Sequence, residues 1–215
     1  PMSIARDNQI PVLPQWQMEM NIREMPGFTS VMAIAKEQTL PLSRLYNWSK
    51  ATTLPGGSEQ IMLCTAPLIG SEGTVFGVCG FEISEMLFKL TYFPKLESYD
   101  YLFCLLSPIE ENTLQLSGAL FAGSFAASSA VPELTNMDIS SDSDTFTIYQ
   151  QPEKESYAGL HQLISLYPTD SAYEDEQWTV ALMMPQQGLN TLLYAKNRYL
   201  TAGLVVLILV NIFLA

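Results

Sequence analysis

The chain has 215 residues, room for one large domain or two small ones, and 10 Lys plus Arg against 22 Asp plus Glu give it a formal net charge of −12. That balance argues against nucleic acid as a partner of this segment, because phosphate binding needs a basic face. Apolar residues make up 48% and charged residues only 15%, so the chain has material for a sizeable core and is not a disordered sequence.

Residues 1–30 hold Pro1, Pro11, Pro14 and Pro26 and cannot form one regular helix. Gln15 to Glu24 has room for a short helical turn. Nothing near Pro1-Met2 reads as a secretory h-region. Val31 to Ala35 is a short apolar run, and Leu42 to Ser49 carries Arg44, Tyr46 and Trp48. Leu54-Pro55-Gly56-Gly57 is a turn. The clearest predicted strands come next: Gln60 to Leu68 and Thr74 to Ile83 flank Gly70-Ser71-Glu72-Gly73 and read as a hairpin. Gly77 and Gly80 inside the second strand predict close approach of a backbone or a ligand. Ser84 to Leu90 reads as a short helix capped by Ser84.

The polar stretch Pro94 to Asp100 reads as a boundary. Strand-length runs follow at Tyr101–Ser107, Ala119–Ala126, Thr145–Gln150, Tyr157–Tyr167 and Gln177–Met184. They show no βαβ rhythm, so the expectation is α+β, with antiparallel sheets flanked by helices. Each half ends in a long hairpin, which suggests two related small modules. Gln186 to Arg198 reads as a helix leading into Tyr199–Ala215, a run of 17 residues without charge. A spanning helix needs about 20, so this run is read as a truncated transmembrane helix. The alternative, a buried core helix, fits poorly because the run has no polar face.

Little here reads as catalysis. His161 is the single histidine and sits in a strand-like run. No G-x-S-x-G elbow, P-loop or G-x-G-x-x-G opening a helix is present. Three cysteines, Cys64, Cys79 and Cys104, at irregular spacing give neither a disulfide framework nor a zinc site. A hairpin centred near Ser71-Glu72 would set Cys64 opposite Cys79 and allow a cross-strand disulfide. Otherwise all three are small buried hydrophobes. Residues 131–176 carry ten acidic residues and one lysine, with tight clusters at 140–144 and 173–176. They read as solvated loops. Asp142 and Asp144 lack the rest of a calcium-loop pattern. No cofactor or metal is expected.

The candidate ligand-binding residues are Arg44, Tyr46, Trp48 and Glu82. A guanidinium holds a ligand carboxylate in a fork. Tyr46 or Trp48 can wall a pocket or face an ammonium group, and Glu82 can pair with that group. The alternative has Tyr46 and Trp48 in the core and Arg44 and Glu82 on the surface.

Thr65-Ala66-Pro67-Leu68, then Gly73, then Gly77-Val78-Cys79-Gly80-Phe81-Glu82-Ile83 resembles the end of an extracytoplasmic Cache domain, a PAS-like sensor module of bacterial receptors. Trp178-Thr179-Val180-Ala181, followed by Met184-Pro185, is similar to the last strand of such a module before its exit helix. The resemblance covers most of residues 30–215 and implies a double Cache unit. Its modules would be a membrane-distal one over 1–95 and a proximal one over 96–186, followed by an exit helix over 187–198 and the transmembrane helix over 199–215. It implies a first membrane helix before the present N-terminus and an output domain beyond Ala215. Amino-acid-binding members carry an Arg, a Trp-Tyr pair and an Asp ending the Gly-containing strand. Arg44 fits the first, Tyr46 stands at the Trp position, Asn47 replaces the Tyr, and Glu82 stands where Asp is expected.

The resemblance implies a non-enzymatic, ligand-sensing region of a receptor in the cell membrane, with residues 1 to about 198 extracytoplasmic. The partners would be a small molecule such as an amino acid or amine, the membrane, and a second copy in a homodimer. Lys196 and Arg198 beside the apolar run favour a tail-anchored cytoplasmic adaptor instead. A structural or dimerisation module without ligand, and a membrane-anchored enzyme, complete the alternatives.

Overall fold

The computed structural model describes residues 21–37, 40–54, 57–92, 101–123, 136–142, 147–150 and 156–191, with Tyr194 and Tyr199. The proline-rich start, the 94–100 boundary, Ser143 and Asp144, residues 192–193 and 195–198 of the predicted exit helix and the apolar run after Tyr199 lie outside the described residues. Among the described residues no helix is long and apolar enough to cross a membrane.

The first sheet is built around one hairpin. Strand β3 (Gln60–Ile69) pairs along its length with β4 (Val75–Ser84), and the other edge of β3 carries two short strands, β1 (Asn47–Trp48) and β2 (Thr52–Thr53), all antiparallel. Alternation sends successive side chains to opposite faces. Helix α1 (Phe28–Glu37) packs across β3 and β4 with Val31 and Ala35, four residues apart on one helix face, buried beneath it. Ile61, Leu63 and Thr65 alternate on one face of β3, and Met62 on the other enters the core between the two sheets. Helix α2 (Glu85–Tyr92) continues directly from β4. Its start is fixed as the sequence predicts: Ser84 Oγ accepts the Leu87 N–H at 3.1 Å.

The second sheet has seven strands: β5 (Phe103–Glu110), β6 (Thr113–Leu114), β7 (Leu120–Gly123), β8 (Met137–Asp142), β9 (Thr147–Gln150), β10 (Ser156–Ile164) and β11 (Trp178–Pro185). Their order is β11-β10-β9-β8-β6-β5-β7, and β11 also pairs with β5. The path β5-β11-β10-β9-β8-β6 therefore returns to β5, and each of those strands has a neighbour on both sides. Closure of this kind hides backbone edges. Its interior is an apolar core of Phe103, Leu105, Leu114, Phe121, Met137, Tyr149, Tyr157, Ala181 and Met183. The alternate residues Cys104, Leu120, Ala122 and Trp178 face outward and pack against Met62 of the first sheet and Phe88 of α2. Residues 186–191 are helical and follow β11 without a break.

The antiparallel α+β architecture agrees with the sequence expectation, and both predicted long hairpins, β3–β4 and β10–β11, are present. Three details differ. Helix α1 extends well past the apolar run Val31–Ala35 at both ends. The acidic region 131–176 supplies β8 as well as loops. Cys64 does not oppose Cys79: Cys64 pairs with Phe81, and Cys79 pairs with Ala66. The register is offset by two residues, with a bulge between Leu68 and Ile69.

Of the two glycines in β4, only Gly80 is required by close approach. A Cβ there would lie 2.2 Å from the Cys64 carbonyl oxygen, whereas one at Gly77 meets nothing within 4 Å. Gly80→Ala is expected to destabilise the chain by about 1–3 kcal/mol, and Gly77→Ala to stay within about 0.5 kcal/mol of the parent. Urea unfolding of the two variants side by side checks this, and equal losses would contradict the register.

Candidate functional site

The segment 41–51 joins the two sheets. It begins with a single 3-10 turn, Leu42–Arg44, started by Pro41 in extended conformation. Leu45 is buried, and β1 follows. A two-residue strand has little to hold it beyond its pairing with β3, Asn47 to Thr65 and Trp48 to Cys64. The rest of its support comes from the loop between β10 and β11, residues 165–177. Tyr167 Oη accepts the Trp48 backbone N–H at 2.8 Å and the Asn47 Nδ2–H at 3.5 Å, and donates to Glu176 Oε2 at 3.3 Å. Tyr46 Oη donates to the Leu166 carbonyl at 2.9 Å. The Arg44 carbonyl accepts both the Ala172 N–H at 3.1 Å and the Ser171 Oγ–H at 3.2 Å.

Three tyrosine rings stack through this joint. Tyr46 lies on Tyr167 at 5.6 Å between centroids, and Tyr167 on Tyr173 at 5.6 Å. Tyr173 is 9% exposed. Its hydroxyl is shut off from solvent and has no hydrogen-bond partner in good geometry. The Ser30 hydroxyl near it donates instead to the Gly27 carbonyl at 3.0 Å. Gly27, at φ +78°, lets the chain entering α1 rest on Asn47 and Thr65; a Cβ there would lie 2.9 Å from Asn47 Oδ1.

Burial dominates the electrostatics of the joint. It raises the pKa of Tyr167 most strongly, with the Glu176 charge adding to it and the Trp48 N–H acting against it. Tyr173 is raised by burial and then by Glu176, with Ser30 opposing. Burial also raises Glu176, against hydrogen bonds from Tyr167 and Trp178 and the charge of Lys50. Both hydroxyls are therefore held neutral, and the carboxylate is held in an environment that disfavours its charge.

The sequence-derived residues are placed as follows. Arg44, Tyr46 and Trp48 come together at the joint, all half-buried. Among the described residues the Arg44 guanidinium has no ion-pair partner. The Trp48 ring meets Phe81 edge to face at 5.5 Å. Glu82 is exposed and pairs with Leu63, one step from the Cys64–Phe81 pair, so it emerges on the α1 side while Trp48 and Phe81 face the other way. The sheet thus separates Glu82 from Trp48. Sequence reading missed Tyr167, Tyr173 and Glu176. The only available signal was the interleaving of Tyr173 with the 174–176 carboxylates, which reads as a solvated loop. His161 is accounted for locally: its Nδ1 contacts Tyr149 Oη at 3.0 Å and Thr147 Oγ1 at 3.3 Å. Among the described residues no three of His, Cys, Asp and Glu are grouped to hold a metal ion.

No protein family matches the chain, and no curated protein matches it. Two solved structures resemble its fold. One is the ligand-binding domain of the Pseudomonas aeruginosa PAO1 amino acid chemoreceptor PctB in complex with L-Arg, with TM-score 0.47 and 11% identity over 84% of this chain. The other is the ligand-binding domain of the amino acid chemoreceptor PctC of the same organism in complex with GABA, with TM-score 0.40 and 13% identity over 80% of this chain. The chain spans 62% and 66% of those structures.

Two outcomes test the joint. Tyr167→Phe leaves the Trp48 N–H and the Glu176 carboxylate without their partner and is expected to cost about 1–3 kcal/mol in chemical denaturation; a loss under about 0.5 kcal/mol would show that water replaces the hydroxyl. The Glu176 pKa is raised above its ordinary 4.5, so its contribution to stability is full below that value and is lost as pH rises through the folded pKa. Glu176→Gln is therefore expected to gain on the parent between pH 4 and pH 7, measured as the difference in unfolding midpoint; a constant difference would contradict the raised pKa.

Proposed function

We propose that this chain is the extracytoplasmic ligand-sensing region of a bacterial transmembrane receptor. Residues 1 to about 198 lie outside the cell, and the run from Tyr199 is anchored in the cell membrane. The observation that carries this reading is the course of the chain at the joint. Residues chosen for ligand chemistry stand against a loop that runs directly into β11 and then into the helix at 186–191. That helix leads to the apolar run.

The geometry suggests a division of labour among the four candidate residues. Tyr46 and Trp48 are committed to the joint through Leu166, Tyr167 and Phe81, so their part is to transmit. Arg44 and Glu82 have no ion-pair partner among the described residues and are left to contact ligand separately, Arg44 at the joint and Glu82 on the α1 side of the sheet. The Arg44 guanidinium suits the carboxylate of a small ligand such as an amino acid. The buried Tyr173 hydroxyl supports a polar group entering from the α1 side. Ligand can shift the packing of loop 165–177 only by its differential affinity for two arrangements of the joint. The distal module over 1–95, the proximal module over 96–186 and pairing as a homodimer belong to the same proposal.

A second reading has one observation in its favour. The Arg44 carbonyl, the Tyr46 hydroxyl and the Trp48 amide are all engaged in holding the loop, as in a structural or dimerisation module that binds no ligand.

Thermal melting of the full chain in detergent, against amino acids, amines and organic acids, separates the two readings. At a hundredfold excess over Kd, binding adds about 2.7 kcal/mol, or roughly 5–10 °C for a chain of this size. The sensor reading expects a shift with one chemical class, reduced in Arg44→Ala and Glu82→Ala and retained in Tyr167→Phe. Unchanged affinity in both charge variants would remove the pocket assignment, and a flat panel would favour the structural reading.

A further inference from the structure

Cys64 on β3 and Cys79 on β4 are free thiols, Cys64 half-buried and Cys79 exposed. Their placement follows from the register. Cys64 pairs with Phe81 and Cys79 with Ala66, so the two are diagonal neighbours on one face of adjacent strands. Diagonal neighbours have Cα atoms about 7–8 Å apart, with their Cβ atoms somewhat closer. A disulfide needs Cβ atoms about 3.5–4.5 Å apart, and forming one here would require β4 to slip two residues along β3. A single soft cation between the sulfurs fits the spacing better. Two-coordinate copper(I) and silver(I) hold thiolates on opposite sides of the metal, a longer span than the ~2 Å S–S bond.

The surroundings suit such an ion. Trp48 and Phe81 are the residues that pair with Cys64 from its two sides, and their rings meet edge to face at 5.5 Å. Aromatic faces attract cations, the indole most strongly. Exposed Cys79 supplies the way in.

We propose that Cys64 and Cys79 form a two-thiolate site for a soft monovalent cation, copper(I) or silver(I). The cation forms two metal–sulfur bonds and each bound thiol releases its proton to solvent; nothing is oxidised or reduced. A diatomic donor set with no third ligand suits ions that are content with two. Cys104 is an internal control, being buried between the two sheets with its thiol pushed up to about 12 by that burial.

The test offers copper(I), without oxygen, to the full reduced chain in competition with a chromogenic copper(I) chelator. The expected result is one cation withdrawn per chain. Cys64→Ser and Cys79→Ser should each weaken uptake about tenfold or more, the least that losing even an outer partner of a metal site costs, while Cys104→Ser should not change it. Cys79 is exposed, so Cys79→Ser tests the site without disturbing the core, and circular dichroism of each variant confirms the fold. Silver(I) should quench tryptophan fluorescence in the parent and not in Cys79→Ser. Undiminished uptake in Cys79→Ser, or a Cys64–Cys79 disulfide found by alkylation and mass measurement in protein isolated under air, would overturn the proposal.

Discussion

The hydroxyl of Tyr167 is the atom on which the two sheets depend. A strand of two residues at a sheet edge leaves an outward N–H that must find a partner. In β1 that group is the Trp48 amide, and the Tyr167 oxygen receives it at 2.8 Å from a residue 119 positions away. The same oxygen turns its own proton toward Glu176. One phenol thus completes the backbone bonding of the first sheet and anchors the loop that feeds β11 of the second. The tyrosine rings on either side, Tyr46 and Tyr173, keep water from competing for these bonds. A second seam, where Ala51 N–H donates to the Gly118 carbonyl at 2.9 Å, holds the other end of the segment.

Charge is distributed unevenly around this contact. The chain is strongly acidic, yet inward-facing Glu176 is the carboxylate from the 173–176 cluster that engages the joint, while Glu174 accepts the Asp170 N–H within its own loop. A carboxylate whose charge is disfavoured by burial sits at a point of poised electrostatics.

The parts of the fold that were legible in the sequence are those set by local chemistry. The β3–β4 hairpin is announced by Gly70 and Gly73 between β-rich runs. The start of α2 is announced by Ser84, and β10–β11 by a pair of apolar runs. Strands such as β1, β2 and β6 were not legible, because two residues carry no period and form only where a partner exists. The register differs by two residues at the cysteines: the bulge at Leu68/Ile69 accounts for one and a turn centred on Glu72 for the other, and neither leaves a mark in composition. The site was legible in half: Arg44, Tyr46 and Trp48 announce themselves by residue type and proximity. Their partners Tyr167, Tyr173 and Glu176 lie over a hundred residues away, in a segment whose acidity reads as a solvated loop. Glu82 falls on the opposite face from Trp48, a fact that depends on pairing parity and on nothing local.

The central claim is that the Trp48–Tyr167 contact makes β1 and β11 one mechanical unit. Native-state hydrogen exchange of the full chain tests it most directly. If the claim holds, the Trp48 amide and the β11 amides exchange with the same free energy of opening and show the same denaturant dependence. A Trp48 amide that exchanges rapidly while β11 stays protected would contradict it, because the joint would then open without disturbing that strand.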